Sequence, residues 1–209
     1  MKKYLFPFFI ILSMLSPQAF SSLDGKPFTL LNKPVADAPP ALYFFSFYCH
    51  FCYQYDEQMG MSEAIKQVLP EGIELTQYHS SFMGPLGNDL THAWSVALLL
   101  NVADRVKPLL FDALQNKKSI NSAEDIRRLF LSAGVTGAEY DAAWNSFAVK
   151  SMTQKQNQMA NAFALTGIPA MYVDGKYQIN PEGLNRTDVS SFVKSYTDTV
   201  SELLNNNLR

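Results

Sequence analysis

The chain has 209 residues, 47% of them hydrophobic and 17% charged, with 17 Lys and Arg against 19 Asp and Glu. This is the composition of a folded globular protein long enough to bury a core without covalent staples, and it excludes an intrinsically disordered chain. Two cysteines exclude a disulfide-rich framework and a four-thiolate zinc site, and a near-neutral balance with no basic block argues against a nucleic-acid-binding surface.

Lys2 and Lys3 precede an apolar run from Tyr4 to Leu15, and the small residues Ala19 and Ser21 follow at a spacing suited to signal cleavage. Residues 1–21 therefore read as a secretory signal peptide, since the run is short for a bilayer span and contains Pro7. Cleavage after Ser21 removes both lysines and takes the formal net charge from −2 to −4. The mature chain then works in an oxidising compartment.

The continuous apolar run at residues 41–47, bounded upstream by Pro39 and Pro40, predicts a strand buried on both faces. A helix is expected from Cys49 or close to it, carrying Met59, Ile65 and Leu69 and closing at Pro70. Ile73, Leu75 and Gln77 alternate with Glu74, Thr76 and Tyr78, which predicts a second strand. The pattern then turns helical. Ser122 and Asp125 cap a helix that stops at Gly134, and Thr136 with Glu139 opens another in which Tyr140, Trp144 and Phe147 fall on one buried face. Strand signals return at residues 170–173 and 176–179, which flank the Asp174-Gly175 hairpin turn. Val189, Phe192, Val193, Tyr196, Val200, Leu203 and Leu204 then recur at helical spacing, ahead of a polar tail at 205–209 that should fray. The expected architecture is an α/β domain built from residues 22–81 and 157–209 and interrupted by an all-helical insertion at 82–156.

The chemistry gathers at Cys49-His50-Phe51-Cys52. On a first helical turn, residues three apart lie roughly 5–6 Å from each other at Cβ, close enough for a disulfide after small adjustment. Free N–H groups at a helix start favour an anion, so Cys49 should be the exposed, thiolate-rich nucleophile and Cys52 the resolving thiol one turn deeper. Two other readings compete. A purely structural disulfide would close a four-residue loop and restrain the unfolded chain little. A metal half-site finds none of His50, His79 or His92 at a familiar ligand spacing, although Met59 and Met61 offer soft sulfur to copper; both read more readily as core filler. Far along the chain, Gly167-Ile168-Pro169 enters the third predicted strand, where a proline must be excused from donating to the ladder. A cis Ile168–Pro169 bond would excuse it and turn the Ile168 backbone toward an extended substrate strand beside Cys49.

Several segments carry a family resemblance. Phe44-Phe45-Ser46-Phe47 ahead of the CxxC, Tyr53-Gln54 after it, Phe82-Met83-Gly84, Thr91 with Ala93-Trp94, the stretch from Tyr140 to Phe147, Gly167 to Met171, and Gly175-Lys176-Tyr177-Gln178 resemble the DsbA thiol oxidases of the thioredoxin superfamily. The resemblance covers essentially the whole mature chain. It implies a thioredoxin fold with a helical insertion, Cys49 and Cys52 as the redox pair, and a cis Pro169. The resulting expectation is a periplasmic monomer without metal or cofactor that donates its disulfide to unfolded exported proteins, which the apolar surface of Phe51, Ile168 and Pro169 would hold. A membrane quinone oxidoreductase of the DsbB kind would reoxidise it.

The departures are specific. The family usually places Pro-His between the cysteines, where this chain has His50-Phe51. His50 either donates to the Cys49 thiolate or covers it as a solvated ring, while Phe51 extends an apolar docking surface. The family's buried acid six residues before the first cysteine is Tyr43 here, and its lysine partner is Gln77, so proton handling should differ. A disulfide reductase or isomerase, and a copper-binding module using Cys49, Cys52 and Met59, are the alternative functions.

Overall fold

The computed structural model describes residues 25–207, so the expected signal peptide and residues 208–209 lie outside the described residues. Five strands, β1 (Phe28–Leu30), β2 (Ala41–Phe45), β3 (Leu75–His79), β4 (Ala170–Val173) and β5 (Tyr177–Ile179), form one mixed sheet in the order β1-β5-β4-β2-β3. β2 runs parallel to β3 and antiparallel to β4. All five of its residues are fully buried, because its alternate side chains feed two cores. Tyr43 and Phe45 join Trp94 and Phe111 on one face, while Leu42 and Phe44 join Phe163 and Tyr172 on the other.

The strand ends earlier than its apolar run. β2 stops at Phe45, paired with the last residue of β3, and the Phe45 carbonyl takes the Ser80 N–H at 2.7 Å. Ser46 and Phe47 continue into the core as an unpaired segment. β3 begins two residues later than the alternation suggests and ends one later, since Ile73 N–H closes a turn onto the Pro70 carbonyl at 3.0 Å. β1 escaped the sequence reading altogether. It is a three-residue edge strand whose partner, β5, is about 150 positions away in the chain. The hairpin forms as expected, with Asp174 and Gly175 at φ +49° and +62°, and Lys176 N–H closes it onto Val173 O at 3.0 Å, so β5 begins at Tyr177.

Eight helices complete the described residues: α1 (His50–Tyr53), α2 (Met61–Val68), α3 (Gly87–Leu99), α4 (Ala103–Phe111), α5 (Ala123–Ser132), α6 (Gly137–Asn145), α7 (Phe147–Ala162) and α8 (Val189–Asn207). The single helix expected between Cys49 and Pro70 is broken. A π-helical turn at Gln54–Gln58 follows α1, and Gly60 at φ +65° redirects the chain into α2. The predicted caps hold: the Ser122 hydroxyl accepts the Asp125 N–H, Gly134 sits at φ +88° after α5, and Thr136 with Glu139 forms a capping box. Phe147 does not share the buried face of Tyr140. The chain extends at Ser146, whose hydroxyl caps α7 at the Val149 N–H, so Phe147 opens a new helix and is 86% exposed. α7 passes unbroken through residues 156 and 157, because Gln156 on its buried side bonds His79 N–H and Ser95 Oγ at 2.7 Å each. α8 stays helical through residues 205–207, which the polar tail did not suggest.

Candidate active site

Cys49 lies at the N-terminal cap of α1, with φ −83° and ψ 112°. Its sulfur takes the place that Ser or Asp usually fills, accepting the Cys52 N–H at 3.1 Å. The geometry splits the acidity of the two thiols. Hydrogen bonding from the Cys52 thiol, then from the backbone N–H groups of Cys52 and Phe51, holds Cys49 below the usual cysteine range, against burial and the Asp56 carboxylate. Burial first, and the neighbouring Cys49 second, pushes Cys52 far above that range. Cys49 is therefore the more acidic of the two thiols, and the last proton of the reduced pair stays with Cys52.

Cys49 is less open than its place at a helix start suggests, at 4% exposed. The loop before β4 covers it: the Ile168–Pro169 bond is cis, as expected, and the Ile168 carbonyl lies 3.6 Å from Cys49 Sγ. His50 is exposed, its ring tilted against Tyr53 with centroids 6.3 Å apart, and the polar contacts of the Cys49 sulfur come from Cys52 and Ile168 instead. Phe51 is 64% exposed. It borders a groove of about 560 Å³ whose floor and walls include Pro169, Tyr55, Met59, Val189 and Phe192, with a Glu182–Arg186 ion pair at 2.8 Å along it. The groove thus joins the two halves of the sequence-predicted site and adds α8, whose part was not foreseen. Met61, the other candidate soft ligand, is fully buried in the core.

Beneath the thiols, positions 43 and 77 carry no charge. Tyr43 is fully buried, and among the described residues its hydroxyl has no hydrogen-bond partner. A buried ion pair forms instead between Asp56, in the π turn, and Lys107, in α4, at 3.0 Å. Gln77 ties the pair together, accepting from Lys107 Nζ at 3.3 Å and donating to Ser62 Oγ at 2.7 Å, while Ser62 donates to Asp56. The Lys107 ammonium also sits 4.7 Å from the Phe45 ring centroid. Asp56 stands four residues after Cys52, a helical spacing that could have placed it under the redox turn. Nothing near Lys107 in the sequence points to this site. Removing one partner of such a pair leaves an uncompensated charge, so Lys107→Met is expected to destabilise the protein by about 3–5 kcal/mol in urea titration. A loss under about 1 kcal/mol would mean that the Asp56 carboxylate reaches water without it.

Residues 42–192 match the family model of the DSBA-like thioredoxin domain. The thiol:disulfide interchange protein DsbA of Salmonella typhimurium is 50% identical over 189 residues, spanning 90% of this chain and 91% of that protein. DsbA of Escherichia coli K12 is 51% identical over 181 residues, 86% of this chain and 87% of that one. Among solved structures, Proteus mirabilis DsbA with a non-covalently bound peptide superposes with a TM-score of 0.84 at 42% identity, covering 87% of this chain and 97% of that one. The split thiol pair at a helix start, set in this sheet and matched over most of both chains, places the protein in the DsbA-like thioredoxin family as a thiol:disulfide oxidoreductase.

Proposed function

We propose that the protein acts as an oxidant in the periplasm, passing a Cys49–Cys52 disulfide to exported proteins that carry pairs of reduced cysteines. The observation that carries this reading is the unequal environment of the two sulfurs: the hydrogen bonds at the α1 start favour a Cys49 thiolate, and burial keeps Cys52 protonated. A disulfide whose reduced form is stabilised in this way is a strong donor. A client thiolate attacks Cys49 Sγ, breaking the Cys49–Cys52 bond and forming a mixed disulfide, and Cys52 leaves and takes a proton. The client's second thiolate then attacks its own sulfur in the mixed disulfide and expels Cys49 as the thiolate. The client loses two electrons and two protons; the enzyme gains both electrons and one proton, and the other proton goes to solvent.

Phe51, Ile168 and Pro169 form the client-facing surface in this reading. The Ile168 backbone offers polar partners to an extended segment, and the groove beside Phe51 receives apolar side chains. His50 screens the start of α1. The helical segment 82–156 acts as an insertion that closes over the thioredoxin-like part. The signal-peptide pattern at residues 1–21 supports export, and reoxidation falls to a membrane quinone oxidoreductase of the DsbB type. The test is the equilibrium with reduced and oxidised glutathione. The potential should fall near that of DsbA, about −120 mV; a value near thioredoxin, about −270 mV, would overturn the oxidase reading in favour of a reductase.

A further inference from the structure

We propose that His79 and Gln115 are positioning residues that set the acidity of Cys49 by clamping the backbone of Phe47 at both its N–H and its C=O. The segment between β2 and α1 needs such support. The β2 ladder ends at Phe45, and among the described residues no strand pairs with the three residues before Cys49. Phe47 N–H donates instead to His79 Nε2 at 3.1 Å, and Phe47 C=O accepts from Gln115 Nε2 at 2.7 Å. One hydrogen bond comes from the end of β3 and the other from the π-helical turn Asp112–Asn116 after α4, so the two parts of the fold grip the two peptide groups that flank Phe47, two residues before the nucleophile.

The imidazole is built to accept. Thr91 Oγ1 spends its hydrogen on the Gly87 carbonyl at 2.9 Å, so toward His79 Nδ1, 2.8 Å away, it can only accept. Nδ1 therefore carries the proton and Nε2 presents a lone pair to Phe47. Full burial among Phe45, Phe47, Thr91 and Gln156 keeps the ring neutral, and its plane stacks on the Phe47 ring at 5.0 Å and 25°. Phe47 is thus held by ring and backbone together. From it the chain turns through Ser46 O, which accepts the Cys49 N–H at 3.0 Å, and this turn fixes the extended cap conformation that aims Cys49 Sγ at the Cys52 N–H. A clamp that slips moves the sulfur off those N–H groups.

This inference rests on Cys49 being the thiolate nucleophile, and the experiment separates the two ideas. The thiolate absorbance of reduced protein is followed through a pH titration, and the glutathione equilibrium is measured, for the wild type, Gln115→Met, His79→Leu and His79→Gln. Gln115→Met keeps the side-chain length but cannot donate, and it lies on a partly buried turn where folding is expected to survive. The clamp predicts a Cys49 pKa shifted upward in Gln115→Met and His79→Leu, with a roughly three- to ten-fold weaker oxidant, equal to about 15–30 mV. His79→Gln, whose amide can both accept from Phe47 and donate to Thr91, should recover most of the wild-type titration. A folded Gln115→Met with unchanged Cys49 titration and glutathione equilibrium would overturn the proposal, even if its stability falls. A wild-type protein without a low-pH thiolate would instead overturn the nucleophile assignment.

Discussion

Alanine at Cys52 is expected to abolish catalytic oxidation and to leave clients and glutathione trapped on Cys49. Exchange at Cys49 requires only one sulfur, so the variant still forms mixed disulfides with oxidised partners. With no second thiol one turn deeper, those adducts cannot be resolved from within the enzyme, and turnover should fall to the uncatalysed rate. The trap has a second signature. The Cys52 thiol is the foremost hydrogen-bond donor favouring the Cys49 thiolate, so its loss should raise the Cys49 pKa, while the backbone N–H groups of Cys52 and Phe51 keep part of the effect. Adducts should therefore form more slowly at neutral pH than in the wild type but persist far longer. Cys49→Ala should show neither adducts nor turnover. The measurement is non-reducing electrophoresis of exported proteins from cells making each variant, beside a thiol-oxidation assay with purified protein. Adducts on Cys49→Ala but not on Cys52→Ala would reverse the roles of the two cysteines.

The redox pair, the cis-proline strand and the hairpin were legible because each depends on short-range signals. A CxxC at a helix start, a proline entering a strand and an Asp-Gly turn are read within a few residues. What stayed hidden depends on partners far away in the chain. β1 has only three residues, and its place beside β5 follows from the sheet edge left open there. Phe47 looked like strand, but the strand must end where β3 ends, and its backbone is then satisfied by the side chains of residues 79 and 115. Phe147 matched a helical period that Ser146 interrupts, since a capping hydroxyl two positions after Trp144 outranks the apolar spacing. The replacement of the family's acid and lysine by Tyr43 and Gln77 read as a loss of buried charge. The fold nevertheless buries a charged pair there, Asp56 and Lys107, and Gln77 touches it. A substitution read one position at a time misses such a pair, because Lys107 reaches the site from α4 on the helical side of the fold.

These arrangements bear on function through the same few atoms. Asp56 raises both Cys49 and Cys52, so the ion pair with Lys107 tempers a field that would otherwise work against the thiolate. The N–H groups at the α1 start act in the opposite sense on Cys49 alone. The difference between the two cysteines is therefore built from the hydrogen bond between the two sulfurs, the burial of Cys52 and the local backbone donors, with no part taken by the His50 or Phe51 side chains. His50 lies outside the set of groups that contact the sulfur, and Phe51 turns its ring to the groove.

The stability of the reduced protein relative to the oxidised protein should rise with pH, peak near the pKa of an unfolded cysteine, about 8.5, and then fall. The oxidised form has no thiols to titrate, so subtracting it isolates the pair. Cys49 is lowered on folding, so its contribution is complete above the unfolded pKa and is lost as pH drops through its folded pKa. Between those two values the unfolded chain carries two thiol protons and the folded one carries only that of Cys52. The reduced form then gains about 1.36 kcal/mol per pH unit. Cys52 is raised on folding, so above about pH 8.5 the unfolded thiols ionise while Cys52 stays protonated, and the slope reverses to a loss of similar size. The reduction potential should report the same proton count, falling about 59 mV per unit below the Cys49 pKa, where two protons accompany two electrons, and about 30 mV per unit above it. DsbA itself, with a nucleophile near pKa 3.5, spans about five units and so about 7 kcal/mol, which sets the scale for a full oxidant. Urea titrations of both redox forms from pH 4 to 10, with glutathione equilibria across the same range, test this directly. A stability difference that stays flat below pH 8.5, with a potential slope near 59 mV per unit throughout, would mean that Cys49 is an ordinary thiol and that the N–H groups at the start of α1 do not hold its charge.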